Sequence, residues 1–122
     1  MEAVSGISIY FCDNRIHILK DTIRALGNPR YVHLHINEEK KYLFISACEK
    51  DKDAFRIYYK TNNITDELNP KRFHINAKGL LNYLSKIIGV ERDSDSLRFP
   101  GELLEGEKII YIDLTKYEII PY

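Results

Sequence analysis

The chain has 122 residues, 44% hydrophobic and 30% charged, which is one domain of ordinary globular composition and excludes a disordered chain. Its 18 basic and 18 acidic side chains cancel, so any site for a charged partner must come from local segregation. Two cysteines, Cys12 and Cys48, exclude a disulfide scaffold and show no C-x-x-C spacing; MEAVSGISIYF has no basic n-region, and no apolar run approaches the roughly 18 residues of a membrane span. A cytoplasmic protein without a membrane segment is expected.

In chain order, Ile7, Ile9 and Phe11 alternate with Ser8 and Tyr10, the period of a half-buried strand. Asp13-Asn14 offers a turn, and Arg15-Ile16-His17-Ile18 alternates again as the second strand of a hairpin. Leu19, Ile23 and Leu26 then share a helix face. Gly27 suits the left-handed residue that ends a helix and Pro29 blocks continuation, so this helix has about two turns. Val32, Leu34 and Ile36 face one way and His33 and His35 the other. After the polar turn at 37–40, KYLFISA returns as a strand with Leu43 and Ile45 on one face.

The order then repeats. AFRIYY (54–59) alternates as a strand, 61–71 is a polar loop, Arg72-Phe73-His74-Ile75 is a strand, and Asn76 can cap a helix. Leu80, Leu81, Leu84, Ile87 and Ile88 form an amphipathic stripe ended by Gly89, with Leu80, Leu84 and Ile88 expected to face the interior. A polar loop, ERDSDS, precedes LRFPGELL, which Pro100 and Gly101 mark as an edge strand or a bulge. Glu105-Gly106-Glu107 makes a turn, KIIYIDL is the clearest strand, and TKYEIIPY adds a short strand or tail. RIHIL (15–19) and RFHIN (72–76) thus mark the second strand of each of two ββαββ units. The expected fold class is α+β. It is a mostly antiparallel β-barrel or sandwich built from two ββαββ repeats, about 6–47 and 54–114, with one short helix each, in a single domain spanning 1–122.

Charge is segregated locally. Between Arg15 and Arg30, Arg15, Lys20, Arg24 and Arg30 stand against Asp21 alone; between Lys71 and Lys86, Lys71, Arg72, Lys78 and Lys86 face no acid. Between Glu91 and Glu107, two basic residues meet six acids. If the two units pack symmetrically, Arg15, Lys20, Arg24, Arg72 and Lys78 form one anion-binding surface, with His17, His74 and Arg30 as secondary contacts. Solvated helix faces are the plainer alternative.

His33 and His35 share one side of a strand, a geometry that binds a metal when a third ligand is near; the sequence offers none, so no metal is expected. Asp51/Asp53 and Asp93/Asp95 read as solvated loop charges. Tyr58, Tyr59, Tyr111, Tyr117 and Tyr122 read as strand residues at the core margin, with an interaction surface as the alternative. G-x-S-x-G, G-x-x-x-x-G-K-[ST], G-x-G-x-x-G and H-E-x-x-H are all absent, so neither an enzyme nor a cofactor is expected.

One stretch resembles a known family. Gly6, Ile7, Asp13, Arg15, Ile16, Ile18, Ile23, Arg24, Leu26 and Gly27, with Glu38-Glu39-Lys40 at a hairpin turn, are similar to the SpoVT/AbrB-like swapped-hairpin pattern over about residues 6–46. The second half matches in element order alone. The resemblance implies two ββαββ units interlocked into one barrel, from one chain or as a homodimer of such pairs. It also implies DNA contacts from basic side chains near the second strand and helix, in a small transcription regulator or antitoxin. Two functions of different kinds follow: a non-enzymatic DNA-binding regulator, or a protein that captures a small anion such as a nucleotide or blocks a protein partner.

Overall fold

The computed structural model describes residues 2–60, 72–90, 96–104 and 106–120. β1 (Glu2–Tyr10) passes through a 3-10 turn at Phe11–Asp13 into β2 (Arg15–Ile18), with Asn14 left-handed at φ 55° as the Asp13-Asn14 turn requires. α1 (Lys20–Ala25) follows and ends at Gly27, whose φ of 86° suits glycine. β3 (Tyr31–Asn37) and β4 (Tyr42–Cys48) form a hairpin. Then come β5 (Phe55–Arg56), β6 (Tyr58–Lys60), β7 (Arg72–Asn76), α2 (Lys78–Ile88), β8 (Ser96–Leu103), β9 (Ile109–Asp113) and β10 (Glu118–Ile120).

Every strand pair is antiparallel, in the order β5-β3-β4-β9-β8-β1-β2-β7-β6, with β10 also on β8. Ile57 alone separates β5 from β6, the two ends of that path, so the sheet curls into a nearly closed barrel. The period-2 pattern decides the inside. Ile7, Ile9, Ile16, Ile18, Ile75, Leu97, Phe99, Leu43, Ile45, Ile110 and Ile112 are all buried, joined by Ile23 of α1, Leu26 just after it, and Leu81 and Leu84 of α2. Antiparallel α+β architecture with two helices agrees with the expectation, and no helix among the described residues is long and apolar enough to cross a membrane. The polar loop at 61–71, and Asp93 and Asp95, lie outside the described residues.

Four local expectations are corrected. The strand expected over 54–59 breaks at Ile57, which is buried and donates its N–H to the Arg30 carbonyl (2.8 Å), so the chain crosses there from β3 to β7. β8 is not an edge: it pairs with β1 on one side and with β10 then β9 on the other. Pro100 is tolerated because it falls between the β10-paired residues (96–98) and the β9-paired residues (101–103). A bulge does lie opposite this stretch, but its extra residue is on β1 and not in LRFPGELL as expected: Val4 to Ile7 takes three steps (7 − 4) while Gly101 to Phe99 takes two (101 − 99). Asn76 ends β7 rather than capping α2; the cap position is Ala77, with no side-chain hydrogen bond, and its N–H goes to the Asn14 carbonyl.

The fourth correction concerns the α2 face. Leu81, Leu84 and Ile87 are buried, while Leu80 and Ile88 are half-buried at its flanks, because the apolar stripe is wider than the surface that covers it. Leu84→Ala removes a fully buried side chain and should cost about 2–5 kcal/mol in urea unfolding; under about 0.5 kcal/mol would place Leu84 at the surface.

Candidate nucleic-acid interface

Because Ile7, Ile16, Ile75 and Leu97 point into the barrel, their neighbours Ser8, His17, His74 and Arg98 point out. The registers align them. Glu118 stands opposite Arg98, Arg98 opposite Ser8, Ser8 opposite His17, His17 opposite His74, and His74 opposite Tyr58, one row across six strands. Ser8 is covered, and its hydroxyl accepts from Arg98 Nε at 3.4 Å. Beyond it the row is aromatic. His17 lies 4.6 Å from the Tyr10 ring and 5.9 Å from His74, and Tyr58 stacks on His74 at 5.4 Å and 21°. The Arg56 guanidinium sits 5.3 Å over the Tyr58 ring. Such a strip offers rings and cations together, the combination that nucleic acids meet by stacking and phosphate contact.

At its β10 end the row runs into an open groove of about 980 Å³ between α1, β8 and the segment 116–118. Lys20, Arg24, Arg98 and Lys116 line it against Asp21 and Glu118, with Leu19, Pro100 and Tyr117 as apolar walls. Asp21 is already engaged. Its carboxylate accepts from the Ser5 N–H and hydroxyl, both at 2.9 Å, and from the Thr22 hydroxyl at 3.3 Å. Partial burial opposes its charge, but these hydrogen bonds outweigh burial and hold the carboxyl below its ordinary range. Thr22 in turn accepts the Gly6 N–H at 2.7 Å, and Leu19 N–H reaches the Gly6 carbonyl at 3.0 Å, so α1 is anchored to the β1 bulge.

Among the residues singled out by sequence, Lys20 and Arg24 meet at this groove, both exposed. Arg15 is exposed on β2 beside His17, and Lys78 is exposed at the start of α2. Arg72 opens β7, and its side chain lies outside the described set. Arg15 and Arg72 do not adjoin: Arg15 faces Asn76, four residues (76 − 72) along β7, or about 13 Å at strand spacing. Arg30 is exposed between α1 and β3, where its carbonyl accepts the Ile57 N–H, next to the Tyr58 end of the row. His17 and His74 are half-buried neighbours at the centre of the row.

Sequence reasoning missed Arg98, Lys116, Arg56 and the cross-strand role of Tyr58. Arg98 lay in a stretch dominated by acids, and only its register with Ser8 and Glu118 reveals its position. Tyr58 and Tyr117 are exposed at 42% and 39%, whereas Tyr59 and Tyr122 lie outside the described side chains.

The outer face of β3, β4 and β9 differs. Tyr42, Phe44 and Tyr111 cluster there with ring centroids 5.0–6.5 Å apart. The Tyr111 hydroxyl is pushed up to about 12 by burial, then by its hydrogen bond with Tyr42 and by the nearby carboxylates of Asp113 and Glu102. Comparison with family models, curated proteins and solved structures finds no match.

Proposed function

We propose that the chain is a non-enzymatic DNA-binding regulator of the SpoVT/AbrB-like kind, which contacts DNA with the row from Arg98 to Tyr58 and the cations at its margins. The observation that carries this reading is the row itself: one arginine, a buried serine, two histidines and a tyrosine in continuous cross-strand register, with Arg15, Arg56, Lys20 and Arg24 beside it. Two interlocked ββαββ repeats belong to the same proposal. In support, β1 lies between β2 and β8 as β5 and β6 together lie between β7 and β3. The two R-x-H-I copies pair with each other about His17 and His74. A local twofold axis there explains why the motif is written twice.

Fluorescence anisotropy with labelled duplexes tests the function. Four phosphate contacts give a slope of log affinity on log salt of roughly −3 to −4, so a fourfold rise in salt lowers affinity about 100-fold. A wild-type chain with no salt-dependent affinity for any duplex sinks the proposal. The groove favours a second reading, capture of a small anion such as a nucleotide between Lys20, Arg24, Arg98 and Lys116. That predicts one-to-one binding of nucleotide with a much shallower salt slope.

A further inference from the structure

His33 of β3, Cys48 at the end of β4 and Asp51 in the following loop bring an imidazole nitrogen, a sulfur and a carboxylate oxygen within 4.8 Å of one another. Register puts them there. Tyr31 faces Cys48 and His33 faces Ser46, so Cys48 and His33 are diagonal neighbours on one side of the hairpin. Asp51 is held by its own loop, one oxygen accepting the Asp53 N–H at 2.8 Å while the other lies 2.7 Å from His33 Nε2. The His33 side chain is 29% exposed and that of Asp51 46%, so the trio is open to an entering ion.

We propose that His33, Cys48 and Asp51 form a site for a divalent transition metal of the zinc class. The mixed nitrogen, sulfur and oxygen set suits zinc, whereas magnesium and calcium prefer oxygen alone. A tetrahedral ion with bonds of about 2.0–2.3 Å separates its ligand atoms by roughly 3.3–3.8 Å. The His33–Asp51 pair need open, and the sulfur close, by only about 1 Å from the observed spacing, within reach of side-chain rotation. Three protein ligands leave a fourth position for water. Binding displaces the proton shared by His33 and Asp51 and the proton of the Cys48 thiol. Burial first, then Asp51, push that thiol up, so without an ion it is a poor nucleophile at neutral pH. The bound ion ties the β3–β4 hairpin to the loop leading into β5, beside the seam where the barrel closes.

The test uses the whole chain, stripped with chelator and kept reduced, with Co²⁺ as the probe. The expected result is one Co²⁺ per chain with a near-ultraviolet sulfur-to-cobalt charge-transfer band, and Zn²⁺ displaces it. Cys48→Ser abolishes the band, and His33→Gln and Asp51→Asn each weaken binding at least about tenfold. Cys12→Ser, on the exposed 3-10 turn, keeps it. Zn²⁺ raises the melting temperature of the wild type and not of Cys48→Ser. Asp51 is an exposed loop residue, so Asp51→Asn retains the fold and keeps the test decisive. No charge-transfer band, a band that survives Cys48→Ser, or unchanged affinity in Asp51→Asn overturns the site.

Discussion

Gly6→Ala should destabilise the protein by about 4 kcal/mol in urea unfolding, among the largest effects of any single methyl added to this chain. Gly6 sits in the β1 bulge at φ 91°, where a side chain is strained whatever the space. Space is lacking as well: a Cβ there would fall 1.9 Å from the Phe99 carbonyl oxygen and 2.9 Å from the Gly101 nitrogen. Both are backbone atoms of β8, so relief requires parting β1 from β8. It would also shift the Gly6 N–H from Thr22 and the Gly6 carbonyl from Leu19, loosening α1 and its groove cations. Gly79→Ala is the counterpart. Its Cβ meets nothing within 4 Å in α2, and alanine should add about 0.5–1 kcal/mol of stability by favouring the helix. A Gly6→Ala loss below about 1 kcal/mol would mean that the bulge is not built as described.

The double charge reversal Lys20→Glu plus Arg24→Glu should lower duplex DNA affinity by about 100-fold or more and flatten the salt slope by about two units, one for each phosphate that is no longer neutralised. Both residues are exposed on α1, so stability should change by less than about 0.5 kcal/mol each. Replacement by glutamate also sets two negative charges beside Asp21 and Glu118, turning the groove repulsive. Lys40→Glu, on the exposed β3–β4 turn, is the control and should leave affinity unchanged. Unchanged DNA binding in the double variant would remove the groove from the interface. Loss of nucleotide capture with no duplex binding in either protein would favour the small-anion reading.

The sequence by itself determined most of the elements and the inward faces of the long strands, because period-2 alternation, helix spacing and turn chemistry are local; the break at Ile57 and the exact face of α2 were set by what packs against them. Ile7 and Ile9, Leu43 and Ile45, the stop at Gly27 and the turn at Asn14 were all legible in this way. Tertiary structure alone decided which strands became neighbours. Alternation says which side of a strand is buried and nothing about the strand beside it. Thus Arg15 and Arg72, equivalent in the repeated motif, end about 13 Å apart because antiparallel pairing reverses one copy against the other. Pro100 looked like an edge marker, yet β8 is interior, because its two partners on one side leave a gap where no N–H is needed. The row from Glu118 to Tyr58 draws one residue from each of six strands, and the His33–Cys48–Asp51 cluster joins a strand, its partner and a loop. Such groupings depend on register across long stretches of chain, which is settled by the shared burial of the whole barrel interior and by no local pattern.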